Sequence, residues 1–435
     1  MRKPSRSAKK PIGMRVLKLA HLINDDIMNT SICPVQSADS DIKITVDCSR
    51  KSHLVDVNES FDFIINADKP QKLKVVISMD GEAVLQSLTV TPPARIPAFL
   101  PQPGFVRCAV SSLDQNPKTV LCGVGVAPTQ LRPILSEPSD FDEFWNDTKE
   151  ELARIPPDFK MRKVNSDETF DYYVISCANL NNQRAYALLS LPIDTSRKLP
   201  LLVTFPGGEA FISEDSLNGS IKENMGYECA RLLFHLPPYP PVAKSADAKV
   251  RHEEFLKDIG LKRYVYYGLN DRKVFYARTA VSGCLRLLDE AVKLPGVDSE
   301  CVGYWGASHG GGFGIYLAAF SDKFKAAFCG VPNFGDRGGF LAGRHAPDCN
   351  AQEYRGNIDT LLYFDASFAA RRIEIPVMVG VGFVDLACPP SAVYTIYNEL
   401  RGPKFIFDKI KNGHGDAPPE YDPLINVWLS KKMKC

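Results

Sequence analysis

A serine between glycines lies at the centre of the stretch 306–310, Gly-Ala-Ser-His-Gly. The pattern G-x-S-x-G is typical of a strained turn between a strand and a helix, which exposes the serine hydroxyl. A serine hydroxyl is a weak nucleophile, so it needs a base within hydrogen-bond distance and a third group that orients the base. Because so short a pattern also arises by chance, the interpretation of Ser308 as a nucleophile depends on its neighbours.

Two residues further along the chain fit the other two roles. Where such a serine is catalytic, the acid follows a later strand and the histidine comes near the C-terminus. Asp385 follows the strand-like run 377–381, and His414 lies in a glycine-flanked loop after the last strand-like run. Asp365 and Asp408 are competing acids, but the first precedes a clear strand and the second is close to the histidine in sequence. We predict that Asp385 and His414 complete a catalytic triad.

Acyl transfer also needs two N–H donors for the oxyanion that develops in the transition state. One should be the backbone N–H of His309, directly after the serine. The other should come from the loop after the strand-like run 201–205, where the sequence Pro-Gly-Gly (206–208) lets the backbone approach a ligand closely. We predict the N–H of Gly208 as this second donor, with an ordinary tight turn as the alternative.

The elements that would position these residues alternate between strands and helices. Apolar runs predict buried strands at 201–205, 302–305, 326–331, 377–381 and 405–407. Apolar residues recur at helical spacing over 274–292, and a helix is expected after the serine over 311–320. Such alternation predicts an α/β class with a mostly parallel central sheet and helices on both faces, as in the α/β-hydrolase fold.

The first part of the chain follows a different pattern. Short alternating runs predict a small all-β sandwich domain over 39–127, with strands at 41–46, 61–65, 73–77 and 83–91. The proline-bearing segments 91–103 and 127–138 are interpreted as a crossover loop and an interdomain linker. Residues 1–38 are interpreted as a tail or leader-like segment.

The catalytic domain is expected over 128–435. Its first helix should begin near Ser139, because the stretch 139–142 has the N-cap residue and the N3 acid of a capping box. From there strands and helices alternate to the end of the chain.

The composition limits the classes of partner. Lysine and arginine total 52 against 51 acidic residues, so neither nucleic acid nor an anionic membrane is indicated, and the expected partner is a small-molecule ester. The twelve cysteines form no C-x-x-C pair or cysteine-histidine cluster, and we expect no metal and no organic cofactor. No apolar run reaches the roughly 18 residues of a membrane-spanning helix. With no clear signal peptide, we expect a cytoplasmic protein, or a periplasmic or secreted one if a leader is missing or altered.

Several of these stretches together resemble carbohydrate esterase family 7, the acetylxylan esterases and cephalosporin C deacetylases. The likeness runs from about residue 130 to the end and is carried by 140–145 (Asp-Phe-Asp-Glu-Phe-Trp), 306–311 and 385–391 (Asp-Leu-Ala-Cys-Pro-Pro-Ser). It implies deacetylation of small acetylated sugars by the predicted triad through an acyl-enzyme. Some larger relatives carry an added N-terminal β domain, and relatives often form closed hexamers, so a homo-oligomer is left open.

The chain departs from the family pattern at three places. It has His309 where glutamine is usual, and Gly208 where an aromatic residue is frequent. Where the family has an Arg-Gly-Gln-Gly motif, this chain has His235 followed by a proline-rich segment, 236–241. Because of the last two changes, the resemblance does not carry over the acyl pocket, the assembly surface or the exact substrate.

Two other functions remain as alternatives. Serine peptidases of the prolyl-oligopeptidase type share the triad order and an N-terminal β domain, but that domain is a propeller of several hundred residues, far more than precede residue 128 here. A catalytically inactive hydrolase that binds glycans through its β-sandwich is the second alternative. The leading prediction is a serine esterase that removes acetyl or other short acyl groups from carbohydrate or related alcohols.

Overall fold

A computed structural model describes residues 42–208, 211–217, 228–345, 352–415 and 417–433. These residues belong to one compact unit, Ser40–Cys435. The segment 1–38, predicted as a tail or leader-like segment, lies outside the described ranges, as does Asp416 beside the predicted base.

The described chain begins with two sheets, in agreement with the predicted all-β sandwich. The three-stranded sheet has the order β1-β3-β6, with β1 at Ile44–Cys48, β3 at Phe61–Ala67 and β6 at Ala94–Ala98. The five-stranded sheet has the order β2-β8-β7-β4-β5, with β2 at Leu54–Val55, β4 at Leu73–Met79, β5 at Ala83–Val90, β7 at Gly104–Ser112 and β8 at Thr119–Val126. Both contribute alternate residues such as Phe63 and Val75 to one buried core, so the sheets pack face to face.

The prediction of a crossover loop over 91–103 is wrong, because this segment contains β6. Its proline, Pro97, lies opposite Asp62 of β3 on a strand at the edge of the three-stranded sheet. An edge strand tolerates proline because one side of its backbone needs no ladder partner. The alternating side chains still enter the core, where Ile96 is buried.

Helix α1 (Phe141–Ala153) begins near the predicted position but without the predicted capping box. Its N-cap residue is Asp140, and no side-chain hydrogen bond caps the helix. The Asp140 carboxylate instead accepts a hydrogen bond from the Tyr363 hydroxyl and pairs with Arg272 at 3.1 Å. Tertiary partners therefore occupy the Asp140 carboxylate in place of the backbone N–H groups of the helix. Helix α1 is held by packing of Trp145 against Phe320, with ring centroids 4.4 Å apart.

The described residues of the second region form a nine-stranded mixed sheet in the order β17-β16-β15-β14-β12-β13-β11-β10-β9. The strands are β9 (Lys160–Ser166), β10 (Phe170–Ala178), β11 (Arg184–Pro192), β12 (Leu199–Phe205), β13 (Ala230–His235), β14 (Val297–Ala307), β15 (Phe324–Gly330), β16 (Val377–Gly382) and β17 (Lys404–Lys409). From β13 to β17 all neighbours are parallel, whereas β9, β10 and β11 pair antiparallel at one edge. The predicted α/β-hydrolase fold with a mostly parallel central sheet is confirmed.

Helices cover both faces of this sheet. They are α2 (Ser245–Asp258), α3 (Tyr276–Ala291), α4 (His309–Phe320), α5 (Gln352–Gly356), α6 (Ile358–Leu361), α7 (Ala366–Ala370), α8 (Pro390–Glu399) and α9 (Tyr421–Lys432). Alternate residues of β12 point to opposite faces: Leu201 joins the core beneath α3 and α4, and Leu202 packs with Leu429 of α9. No helix in the described ranges is long and apolar enough to cross a membrane.

Candidate active site

Ser308 lies at a sharp turn between the end of β14 and the start of α4. Its backbone has φ 61° and ψ −122°, a strained conformation for a residue with a side chain. The turn is held by hydrogen bonds from Ser308 N to Gly330 O (2.9 Å) and from Gly312 N to Ser308 O (3.1 Å). The small residues are required by close packing, since a Cβ at Gly306 would lie 2.7 Å from Gly310 O. The predicted strand, turn and helix are therefore all present.

His414 lies between the other two predicted triad residues. Its Nε2 is 2.9 Å from Ser308 Oγ, and its Nδ1 is 2.9 Å from Asp385 Oδ2. When Nδ1 carries the ring proton and donates a hydrogen bond to the carboxylate, Nε2 is left to accept the serine proton. The histidine side chain is 35% exposed, so a substrate can reach it, whereas the Asp385 side chain is fully buried.

The Asp385 carboxylate is oriented by its own loop. One oxygen, Oδ1, accepts hydrogen bonds from Ala387 N at 2.8 Å and Cys388 N at 2.9 Å. The other oxygen is thereby directed at His414. The turn after β16 thus fixes the orientation of the Asp385 carboxylate, as is required of a group that orients the catalytic histidine.

The two competing acids have other partners. Asp365 caps α7, and its carboxylate accepts hydrogen bonds from Ser367 N and Arg337 N, each at 2.8 Å. Burial raises the pKa of the Asp365 carboxyl to about 6 despite these donors. Asp408 accepts a hydrogen bond from the Tyr394 hydroxyl at 2.8 Å. Of the three candidate acids, Asp385 is the one that the structure brings to His414.

The two predicted oxyanion donors belong to different elements, α4 and the loop after β12. His309 is the first residue of α4, so its backbone N–H is at the positive end of a helix dipole. In the loop after β12, a Cβ at Gly207 would lie 3.8 Å from Ser308 Cβ, which places this loop beside the nucleophile. Gly208 follows with φ +62°, and no atom of the described residues lies within 4 Å of a Cβ built on it. The roles of the N–H groups of His309 and Gly208 stay predictions.

The His309 side chain occupies an aromatic cluster beneath the serine. Its ring stacks nearly parallel to those of Phe205 and Phe313 and meets Phe334 edge to face, with centroids 5.9, 5.1 and 4.9 Å away. Only 4% of the residue is exposed. The imidazole is therefore part of the packing, and any contribution at the reacting carbonyl comes from its backbone.

His235, another of the positions that depart from the family pattern, ends β13. Its Nδ1 accepts a hydrogen bond from Ile212 N at 3.0 Å, and its ring packs edge to face on Tyr239. Burial lowers the pKa of His235 to about 3, so the ring is neutral at ordinary pH. This histidine therefore ties the segment around Ile212 to the sheet.

Arg107 is a residue at the site that the sequence did not indicate. It belongs to β7 of the N-terminal sheets, and its Nη2 donates a hydrogen bond to the backbone carbonyl of Asp385 at 2.7 Å. The side chain is almost completely buried. One available signal was the charged residue between the apolar neighbours Val106 and Cys108, in a strand otherwise suited to a core.

Comparison with known proteins gives the family. The family model for acetyl xylan esterase (AXE1) matches residues 129–338 and 344–431, well over half of the chain. The acetyl esterase Axe7A of Xylanibacter ruminicola is 25% identical over 319 residues, which cover 72% of this chain and 71% of that protein.

Two solved structures share the fold. The acetyl xylan esterase from Paenibacillus sp. R4 superposes with a TM-score of 0.58 at 19% identity, covering 70% of this chain and 98% of that one. Acetyl xylan esterase 1 from Thermoanaerobacterium sp. JW/SL YS485 gives a TM-score of 0.58 at 20% identity, with 71% and 98% covered. The resemblance seen in the sequence is confirmed by the family match, and the chain belongs to the acetyl xylan esterase family.

Proposed function

We propose that this chain is a serine ester hydrolase that removes acetyl or other short acyl groups from carbohydrate or related alcohols through an acyl-enzyme at Ser308. The observation that carries the proposal is the continuous hydrogen-bonded chain from Ser308 Oγ through His414 to Asp385. A weak hydroxyl nucleophile needs one base that takes its proton and a carboxylate that orients this base, and the chain of hydrogen bonds supplies both.

In the acylation step, Ser308 Oγ attacks the ester carbonyl carbon while its proton moves to His414 Nε2. The buried Asp385 carboxylate stabilises the imidazolium that forms. The N–H groups of His309 and Gly208 would stabilise the oxyanion of the tetrahedral intermediate. His414 then gives its proton to the alcohol oxygen as the bond to the carbonyl carbon breaks, which releases the sugar alcohol and leaves acyl-Ser308.

In the deacylation step, water replaces the alcohol. His414 takes a proton from the attacking water. As the second tetrahedral intermediate collapses, His414 gives this proton to Ser308 Oγ. The products are the carboxylic acid and the free enzyme. Each half of the cycle thus uses the same three side chains.

The choice of acyl group and alcohol rests on the family. The matched relative is named an acetyl esterase, and the family and both solved structures are named for acetyl xylan. An acetylated carbohydrate is therefore the substrate that we propose for this chain.

Hydrolysis assays can separate this proposal from the two alternatives. We expect acetate release from acetylated xylo-oligosaccharides and faster hydrolysis of p-nitrophenyl acetate than of longer acyl esters. Ser308→Ala should lower kcat by several orders of magnitude, on the order of 10⁴-fold or more. Ser196→Ala, a change at an exposed serine between β11 and β12, is the matched control and should leave kcat unchanged.

Two results would contradict the proposal. Cleavage of prolyl peptides without acetate release would identify a peptidase. Failure of the folded wild-type protein to hydrolyse any of these esters, together with binding of xylo-oligosaccharides, would identify an inactive hydrolase that binds glycans.

A further inference from the structure

The loop that carries the triad acid packs against the N-terminal five-stranded sheet. This acid loop, defined as residues 383–391, follows β16 and leads into α8. Its first contact with the sheets is at Phe383, whose ring packs edge to face on Phe105 of β7 with centroids 5.1 Å apart. A Cβ at Gly123 of β8 would overlap the Phe383 carbonyl oxygen, so the two backbones are in close contact there.

Arg107 binds the acid residue itself. Its Nη2 donates to Asp385 O at 2.7 Å, and only 3% of the residue is exposed. The guanidinium lies against Gly81, where a Cβ would overlap Nη1. Burial lowers the pKa of Arg107, while the negative charges of Asp80 and Asp385 oppose that shift. The charge of Arg107 is therefore stabilised from two sides, one of which is the triad acid.

Asp80 holds the other end of the acid loop. It follows β4, is fully buried, and its Oδ2 accepts a hydrogen bond from the Ser391 hydroxyl. Burial raises the pKa of Asp80, and the nearby charge of Arg107 opposes that shift. A buried guanidinium on β7 and a buried carboxyl directly after β4 thus contact the acid loop at two points, Asp385 and Ser391, the second of which lies in the first turn of α8.

We propose that Arg107 and Asp80 are positioning residues for the triad, through which the N-terminal sheets hold Asp385 in the orientation that His414 requires. The proposal rests on the proposed function, because it assigns Asp385 the role of orienting the base. With the Asp385 carbonyl anchored by Arg107 and Oδ1 held by two backbone N–H groups, the carboxylate cannot rotate away from His414. Misplacement of a catalytic group by about 1 Å can cost 10²-fold in rate.

Variants can distinguish positioning of Asp385 from a merely structural role, in which Arg107 and Asp80 would only stabilise the fold. Arg107→Met removes the hydrogen bond to Asp385 O and also the largest nearby positive charge that acts on the buried Asp80 carboxyl, which is destabilising in itself. The double variant Asp80→Asn/Arg107→Met also removes the Asp80 charge but does not restore the hydrogen bond. Arg107→Lys keeps the charge and one donor. Val110→Ala, in the buried sandwich core of the same strand, is the matched control for general loss of packing.

The readouts are the second-order rate of labelling by a fluorophosphonate probe, kcat and KM with p-nitrophenyl acetate, and the Tm. In Arg107→Met we expect the labelling rate and kcat to fall about ten- to a hundredfold with little change in KM. The double variant should recover the Tm but not the labelling rate, and Arg107→Lys should recover part of the rate. Val110→Ala should lower the Tm and leave the labelling rate unchanged.

The proposal would be overturned if the double variant, folded and stable, were labelled at the wild-type rate. It would also be overturned if Arg107→Met and Val110→Ala lost the same amount of kcat for the same decrease in Tm. If Arg107→Met does not fold, the double variant decides. Labelling reports the reactivity of the serine whatever the ester, so wild-type protein that is labelled but releases no acetate would refute the proposed substrate and leave this test intact.

Discussion

At the residue scale, His414 can act as a base only while its Nδ1–H is directed at a carboxylate, because that contact fixes the tautomer and the ring orientation. The contact is 2.9 Å long and its acceptor is fully buried. Asp385 therefore fixes the tautomer and the ring orientation of His414, a histidine that is itself partly exposed.

Asp385→Asn should lower kcat by about 10³- to 10⁴-fold with little change in KM, because an amide at this position favours the wrong histidine tautomer. Asp408→Asn is the matched control, since Asp408 accepts its hydrogen bond from Tyr394 and lies on β17. Steady-state kinetics with p-nitrophenyl acetate measure both variants. Equal losses in the two variants would contradict the assignment of the acid.

The sequence was sufficient to find the three residues that the structure brings together, since chain order and loop position restrict each of them. It was not sufficient to find Arg107, because the contact with Asp385 joins residues 278 positions apart. That contact depends on the registers of β7 and β16 and on how their sheets pack, and neither follows from local pattern. The two oxyanion donors are predicted from type and position alone.

At the element scale, the turn at Ser308 works because β12, β14 and α4 approach one another more closely than side chains would allow. A Cβ at Gly310 would overlap the Phe205 carbonyl oxygen, and one at Gly314 would overlap the Tyr304 ring. The strained serine is held by this packing, which is typical of functional turns.

Gly310→Ala should destabilise the fold by about 1–3 kcal/mol and lower kcat, because the added methyl group forces β12 and α4 apart at the nucleophile. Gly356→Ala is the control, since no atom of the described residues lies within 4 Å of a Cβ at that position. Thermal unfolding and steady-state kinetics check the pair. A Gly310→Ala enzyme with wild-type Tm and kcat would contradict this account, because it would show that the turn accommodates a methyl group at residue 310.

The sequence predicted four parallel strands that are buried on both faces, β12, β14, β15 and β16, and also the edge strand β17, but it did not predict the edge strand β9. The predicted parts of these four parallel strands, 201–205, 302–305, 326–331 and 377–381, are mainly apolar, which is typical of strands covered by helices on both faces. The edge strand β9 is exposed along nearly its whole length and carries no apolar alternation. Its pairing with β10 is set by tertiary contacts, which local sequence does not encode.

At the scale of the whole molecule, the N-terminal sheets and the hydrolase sheet belong to one compact unit. Phe105 of β7 is part of the large hydrolase core and packs against Tyr394 of α8 at 5.6 Å. Asn398 of α8 donates hydrogen bonds to the carbonyls of Pro128 and Leu131, each at 2.9 Å, in the segment predicted as a linker. We propose that the regions 39–127 and 128–435 are distinct in sequence pattern but unfold together.

Thiol labelling in increasing denaturant can test this cooperativity. Cys108 lies on β7 in the sandwich core and Cys284 on α3, and both are free and buried. Burial raises the pKa of the Cys108 thiol to about 12, so it should be unreactive in the native protein. Mass spectrometry of the alkylated peptides should show both cysteines becoming reactive at the same denaturant concentration. Labelling of Cys108 well before Cys284 would mean that the sandwich unfolds alone.

The central claim is that Ser308 is the nucleophile of an ester hydrolase, and the most direct measurement is the site of the stable adduct formed by a fluorophosphonate probe. We expect peptide mass spectrometry to place the adduct on Ser308, with esterase activity lost in proportion to the labelled fraction. An adduct on another residue, or full activity after complete labelling, would contradict the claim.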